Sequence, residues 1–202
     1  MRPADQRILF VISGPSGSGK ESVIGGLLEA VGRLSRVTTY TTRDKRPGEA
    51  EGKPYHFVTT EEFDRLLADG VLFESEAVYG SHRYGSPRAA VADPGDDDLI
   101  IELDPNGYRR MREARSGPTV GIFLIVPDPD TLRARILARH PETDLSRRLD
   151  IAREQVRDAT PYDYVLLNDD LSRCCADAAA ICAVERLRRD GTQGLKRFRT
   201  AF

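Results

Sequence analysis

Gly14, Gly17, Gly19 and Lys20 stand in the stretch Arg7 to Ser22, RILFVISGPSGSGKES, at a spacing that suits phosphate chemistry. Three glycines let a loop curl with several backbone N–H groups pointing inward, and the ammonium of Lys20 follows where a helix begins. With Pro15, Ser16 and Ser18 completing it, the segment Gly14 to Lys20 predicts a cradle for a polyphosphate. The pattern G-x-x-x-x-G-K-[ST] holds through Lys20 and then departs. Glu21 stands where a hydroxyl ligand of Mg²⁺ is the rule, and Ser22 comes one place late. A carboxylate can bind that ion through oxygen. It also stands near phosphate charge, where a like pair at ~4 Å costs about 4 kcal/mol at an effective dielectric of ~20 unless a cation neutralises it.

A second group of chemistry-bearing residues follows. Thr41-Thr42-Arg43 and Arg46-Pro47-Gly48-Glu49 place two guanidinium groups beside hydroxyls in a loop punctuated by glycine and proline. Planar forks and hydroxyl donors suit a second phosphate. Taken alone, such a tripeptide more often marks a solvated turn.

These groups need elements to hold them. Strand-length apolar runs are Ile8 to Ser13, Arg36 to Tyr40, Leu99 to Leu103, Val120 to Val126 and Tyr164 to Leu167. Between them lie segments of helical period: Lys20 to Val31, Asn106 to Arg115, Pro129 to Arg139, Leu145 to Arg157 and Leu171 to Arg188. Such alternation predicts an α/β fold with a parallel sheet and helices on both faces, and ligands gather at the carboxyl ends of its strands. Gly14 to Lys20 lies at such an end. Between Thr41 and Gly85 the pattern changes to short strands (Tyr55 to Val58, Leu72 to Val78) around one helix, Thr60 to Ala68, with Thr60 as its N-cap. This reads as an inserted α+β subdomain. Asp93 to Asp98 reads as a solvated turn.

The 202 residues suit one domain with an insertion, and 40% apolar with 31% charged residues describe a globular chain. A net charge of -2 gives no global electrostatic case for a nucleic-acid or membrane partner, so any basic site is local. The start MRPADQR is polar and the apolar run behind it too short for a signal segment or a membrane span, which predicts a cytoplasmic protein. Cys174, Cys175 and Cys182 share one helical stretch without zinc spacing and read as reduced, buried thiols. His56, His82 and His140 are scattered. The tail Gly191 to Phe202 carries basic and apolar residues to which no function or protein partner is assigned.

The sequence resembles the guanylate kinases, P-loop enzymes that move the γ-phosphoryl group of ATP onto GMP. The matching pieces are GPSGSGK at Gly14 to Lys20, TYTTRDKRPGEAEGKPYHFV at Thr39 to Val58, EEF at Glu61 to Phe63 and LFESEAVYG at Leu72 to Gly80. YGSPRAAV at Tyr84 to Val91, ELDPNG at Glu102 to Gly107 and YDYVLLNDDL at Tyr162 to Leu171 continue the family's order over nearly the whole chain. The resemblance implies a P-loop three-layer fold with a central parallel sheet, an inserted GMP-binding α+β subdomain and a lid. It divides the single domain 1–202 into a core of 1–38 and 87–202, a GMP-binding subdomain of 39–86 and a lid of 135–150.

The resemblance also implies roles. Gly14 to Ser22 bind ATP. Thr39, Arg43, Arg46, Tyr55 and Tyr84 match the ligands of the GMP phosphate, and Asp104 the second aspartate of a D-x-D near GMP and metal. Glu74 matches the carboxylate that accepts from guanine N1–H and the 2-amino group, and Ser86 the hydroxyl that reads O6. Arg135, Arg139, Arg147 and Arg148 match lid arginines, with Arg135 stacking on adenine, and Asn168 sits in the NDD that contacts that base. Lys20, Arg46, Arg135, Arg139 and Arg148 are the implied catalytic cations, and Mg²⁺ the implied cofactor, with Glu21 and Glu102 as its ligands. The chain departs from the family at Glu21, at Glu102 in place of an aspartate, at Asn106 in place of a glutamine, at Tyr40 and Asp44-Lys45, and in a shorter lid. Alternatives are a related kinase acting on a modified guanine nucleotide or ribose phosphate, since ribose bisphosphate kinases also carry an acid after the P-loop lysine, and a non-catalytic guanylate-kinase-like binding module.

Overall fold

The computed structural model describes residues 6–46, 48–78, 82–92, 95–139, 141–142, 144–159 and 161–200, without the side chains of 74, 76–78, 90, 91 and 197. Pro47, Asp93, Pro94, His140 and Phe202, all part of the sequence reading, lie outside the described residues.

Strand β1 (Leu9–Ser13) is buried along its whole length, as its unbroken apolar run requires of a strand covered on both faces. It lies at the centre of a parallel sheet whose other strands are β2 (Leu34–Arg36), β7 (Asp98–Glu102), β8 (Thr119–Ile125) and β9 (Tyr164–Leu167), in the order β2-β7-β1-β8-β9. Leu9 stands opposite Leu99 on one side and Thr119 on the other. Alternate side chains of β1 point to opposite faces. Ile8, Phe10 and Ile12 pack with Val23, Ile24 and Leu27 of α1 (Lys20–Ala30) and with Cys174, Ala178, Ile181 and Cys182 of α7 (Leu171–Thr200). Leu9 and Val11 face Tyr108 and Met111 of α4 (Pro105–Ala114), together with Phe123 and Tyr162.

A second sheet, in the order β4-β3-β6-β5, is built from β3 (Thr39–Thr41), β4 (Tyr55–Phe57), β5 (Leu72–Val78) and β6 (His82–Pro87), with α2 (Thr60–Ala68) between β4 and β5. The short helix α3 (Arg88–Ala92) leads back to β7. Helices α5 (Pro129–Arg139) and α6 (Leu145–Arg157) form a small core of their own around Leu132, Ile136 and Ala152.

Four local expectations are corrected. The run Arg36 to Tyr40 is not one strand, because the chain leaves the parallel sheet after Arg36 and enters the second sheet at Thr39. Nothing in the period-2 pattern marks that crossing. The N-cap of α2 is Thr59, one residue earlier than expected, in a reciprocal box: Glu62 N donates to Thr59 Oγ1 at 3.1 Å and Thr59 N donates to Glu62 Oε2 at 3.0 Å. Asp98 is no part of a solvated turn. It is fully buried, accepting from Ile8 N at 2.9 Å, Arg186 Nε at 2.8 Å and Arg189 Nη1 at 2.7 Å. Helix α7 runs on past Arg188 through Gly191 and Gly194, since glycine costs a helix only about 1 kcal/mol and no proline interrupts the helix-forming residues around it. Its three cysteines are free thiols, with Cys174 and Cys182 buried. Among the described residues, no helix is long and apolar enough to cross a membrane.

Candidate active site

The loop after β1 keeps its shape through glycine. Gly14 has φ 140°, and a Cβ there would lie 2.4 Å from the carbonyl oxygen of Leu124; Gly19 has φ 92°, and its Cβ would meet Asn168 Nδ2 at 2.2 Å. A side chain is strained at both places by the left-handed backbone and would press on the Leu124 backbone at position 14 and on the Asn168 amide at position 19. Helix α1 starts at once after Gly19 without a side-chain cap, so its first N–H groups remain for an anion. Lys20 Nζ donates to the carbonyls of Gly14 at 2.7 Å and Pro15 at 3.0 Å, and lies 3.6 Å from Glu102 Oε1 at the end of β7. The helical pair reaches the same loop: Arg148 Nη1 donates to Ser16 Oγ at 3.0 Å.

Across from the loop, β3, β4 and β6 gather a second set of donors. The Arg43 guanidinium is buried, lies 5.0 Å from the Tyr55 ring centroid, and grips Glu49 with both Nη groups at 2.6 Å. That fork holds the Glu49 carboxyl at about 2, far below the ordinary carboxylate value, and raises Arg43. The Arg46 side chain is exposed, while its backbone N–H joins the Glu49 carboxylate at 2.9 Å. Tyr55 and Tyr84 meet edge to face with centroids 5.7 Å apart. Burial pushes the Tyr55 phenol up, so it remains a neutral O–H donor at physiological pH. Thr39 and Ser86 are buried beside them. In the β5–β6 ladder Glu74 stands opposite Ser86; the Glu74 side chain lies outside the described residues.

Both groups line one cavity of about 810 Å³. Its walls include Gly14, Ser16, Gly17, Gly19, Lys20 and Glu21 from the loop, Thr39, Arg43, Arg46, Tyr55, Tyr84 and Ser86 from the second sheet, and Glu102, Asp104, Arg139 and Arg148. Asp104 also caps α4, accepting from Gly107 N at 2.7 Å. A family model for guanylate kinase matches residues 6–184, nearly all of these elements.

The chain belongs to the guanylate kinase family.

Individual relatives agree with that assignment. The chain is 37% identical over 199 residues to a guanylate kinase of Rhizobium meliloti, covering 96% of this chain and 90% of the relative. To a guanylate kinase of Symbiobacterium thermophilum it is 40% identical over 185 residues, covering 90% and 87%. The crystal structure of guanylate kinase from Anaplasma phagocytophilum superposes with a TM-score of 0.74 at 31% identity, covering 89% of this chain and 86% of that one.

Six residues that the sequence assigns to the site, among those with described side chains, are not in the cavity wall. Pro15 and Ser18 are inside the loop, Ser22 is exposed on α1, Arg135 runs beside Gly17, and Asn168 is buried behind the loop with Nδ2 donating to Ser18 O at 2.8 Å. Arg147 is exposed on α6. The sequence assigns no role to several wall residues, Arg36, Glu49 and Gln155 among them. Arg36 is the terminal residue of β2 and forks onto Glu21, with Nη1–Oε1 at 2.6 Å and Nη2–Oε2 at 2.7 Å. Glu49 holds Arg43. Gln155 lies two turns beyond Arg148 on α6, and its amide oxygen is buried without a partner among the described residues. A charged residue at the carboxyl end of a parallel strand was the available signal for Arg36; the seven-residue spacing from Arg148 was that for Gln155.

Proposed function

We propose that the chain catalyses phosphoryl transfer from ATP to GMP, giving ADP and GDP. The observation that carries this reading is the continuity of one cavity between the glycine loop with Lys20 and the cluster of Arg43, Tyr55 and Tyr84. Two phosphate sites facing one another are what an in-line displacement needs. An oxygen of the GMP phosphate attacks the γ-phosphorus of ATP, the bond from that phosphorus to the β,γ-bridging oxygen breaks, and ADP leaves.

In this reading the loop amides of Gly14 to Gly19 and the Lys20 ammonium hold the polyphosphate, with Ser22 beside the α-phosphate. Arg43, Arg46, Tyr55, Tyr84 and Thr39 hold the acceptor phosphate, Tyr55 as a neutral donor, Arg46 as a fork, and Arg43 through its charge while Glu49 holds its two Nη groups. Ser86, buried opposite Glu74 in the ladder, suits a base-reading hydroxyl, and an acid at position 74 would select guanine by its two adjacent donors. Arg135, Arg139 and Arg148, carried by the α5–α6 pair that forms the lid of residues 135–150, spread positive charge over the transferred group. Positioning and cationic screening supply most of phosphoryl-transfer catalysis. Asn168 supports the loop from behind, next to the adenine side of the site.

A Mg²⁺ site fits these residues in a limited form. Among the described residues no group of three His, Cys, Asp or Glu side chains gathers to hold a metal, but Mg²⁺ takes one or two carboxylates and fills its shell with phosphate and water. Glu102, beside Lys20, would be one such ligand, and Glu21 a second through lone pairs that Arg36 leaves open. When bound with ATP the ion screens the β- and γ-phosphates.

The test is an ADP-release assay with GMP, dGMP, AMP or no acceptor. Release that depends on GMP and fails with AMP is the expected result. Equal rates with and without GMP would defeat the proposal, and preference for another guanine or ribose phosphate would redirect it to that acceptor.

A further inference from the structure

We propose that Arg36 is a positioning residue of the donor site, the counter-charge that makes an acid at position 21 of the phosphate loop compatible with a polyphosphate. The inference rests on the ATP-binding reading of the loop and goes beyond it, because the loop motif holds no place for either residue.

Position 21 is where the motif puts a hydroxyl against the metal of the β- and γ-phosphates. Here it carries a carboxylate on the first turn of α1, directly after Lys20, in the wall of the same cavity. A bare carboxylate there would repel the ligand that the loop amides and Lys20 attract. Arg36 meets it from the end of β2 with a two-bond fork, the geometry that neutralises a carboxylate and fixes its plane. The Arg36 side chain is 18% exposed and that of Glu21 48%, and both line the cavity.

The surrounding charges favour the same division of labour. Glu21 is held below its ordinary value chiefly by its hydrogen bond to Arg36, with Arg139 adding to the effect. Arg36 in turn feels the negative charge of Glu102 as well as that of Glu21. Arg36 meets Glu21 directly, and Glu102 has the Lys20 ammonium at 3.6 Å. Lys20 also donates to the Gly14 and Pro15 carbonyls. A purely structural pair would matter to folding alone, whereas this one sets how strongly the loop attracts an anion.

The experiment is ADP binding by calorimetry, in chelator and again with Mg²⁺, to the wild-type chain, Arg36→Met, Arg36→Lys, Glu21→Gln and the double variant Glu21→Gln/Arg36→Met, with thermal melting of each. In chelator, Arg36→Met should weaken ADP binding by about tenfold or more, because the carboxylate is then uncompensated. Glu21→Gln should bind at least as tightly as wild type, and the double variant should return to within about threefold of it with the melting temperatures alike, as a charge relation at the ligand requires. Arg36→Lys keeps the charge without the fork and should fall between wild type and Arg36→Met, which retains the test if Arg36→Met folds poorly. Unchanged ADP affinity in folded Arg36→Met, or a double variant as weak as that single one, overturns the inference. Failure of the wild-type chain to bind ADP at all would instead contradict the donor-site reading beneath it.

Discussion

The side-chain amide of Asn168 donates to the main-chain oxygen of Ser18 at 2.8 Å, joining the end of β9 to the phosphate loop across 150 residues of sequence. Asn168 is 3% exposed, so both partners are withdrawn from water. Removing the amide leaves a buried carbonyl unsatisfied, at about 1–3 kcal/mol. Asn168→Ala should therefore melt lower and bind ADP more weakly, with GMP affinity little changed. Calorimetry with each nucleotide checks this, and equal losses for both would show that the bond holds the whole fold rather than the loop.

Lys20 is poised between the Gly14 and Pro15 carbonyls and the Glu102 carboxylate. Lys20→Met keeps the stem and removes the charge that the proposed function sets against the transferred group. The expected loss in turnover is about 10²–10³-fold, the scale of deleting one preorganised donor, with the melting temperature nearly unchanged. Steady-state kinetics beside a thermal melt separates the two effects.

The Arg43–Glu49 fork carries a pH signature. Glu49 titrates at about 2 in the folded chain, against an ordinary value of 4.5. A depressed folded value stabilises above the unfolded one and is lost as pH falls through the folded one. Wild type should therefore melt above Glu49→Gln at pH 7, and the gap should close as pH falls from 4.5 toward 2. Melting curves of both proteins across that range decide it, and a gap independent of pH would contradict the assignment.

Asp98 is the buried acid on which the far end of the core depends. Its carboxylate meets Arg186, Arg189 and the Ile8 N–H, so Asp98→Ala takes the carboxylate from Arg186 and leaves Arg189 with Asp190. The expected destabilisation is about 3–5 kcal/mol. Denaturant titration measures it, and a change within experimental scatter would show that solvent reaches the cluster.

Local signals made part of the molecule legible and long-range pairing hid the rest. The glycine loop, β1 and α1 follow from turn chemistry and hydrophobic period within one short stretch, and the alternation of apolar runs was enough for the parallel sheet. Arg43 stands out by its glycine- and proline-punctuated loop, Tyr55 and Tyr84 only by motif resemblance, and the three share one cavity wall. Arg36 was read as part of one strand because the step from one sheet to the other leaves no mark in the sequence. Its pairing with Glu21 was hidden for the same reason, since the partners lie on different elements 15 residues apart. Asp98 looked solvated because three neighbouring acids masked it, and its arginine partners on α7 are 88 and 91 residues away. In each case the missing information was a tertiary partner, which no residue pattern carries.

The proposed donor and acceptor sites share one cavity, so a single molecule should fill both. Competition against ADP with adenosine and guanosine joined through a chain of phosphates measures this directly. The account predicts affinity at least about tenfold above that of ADP or GMP alone, as expected when a second binding event becomes intramolecular. Binding no tighter than ADP, or competition with only one of the two nucleotides, would contradict it.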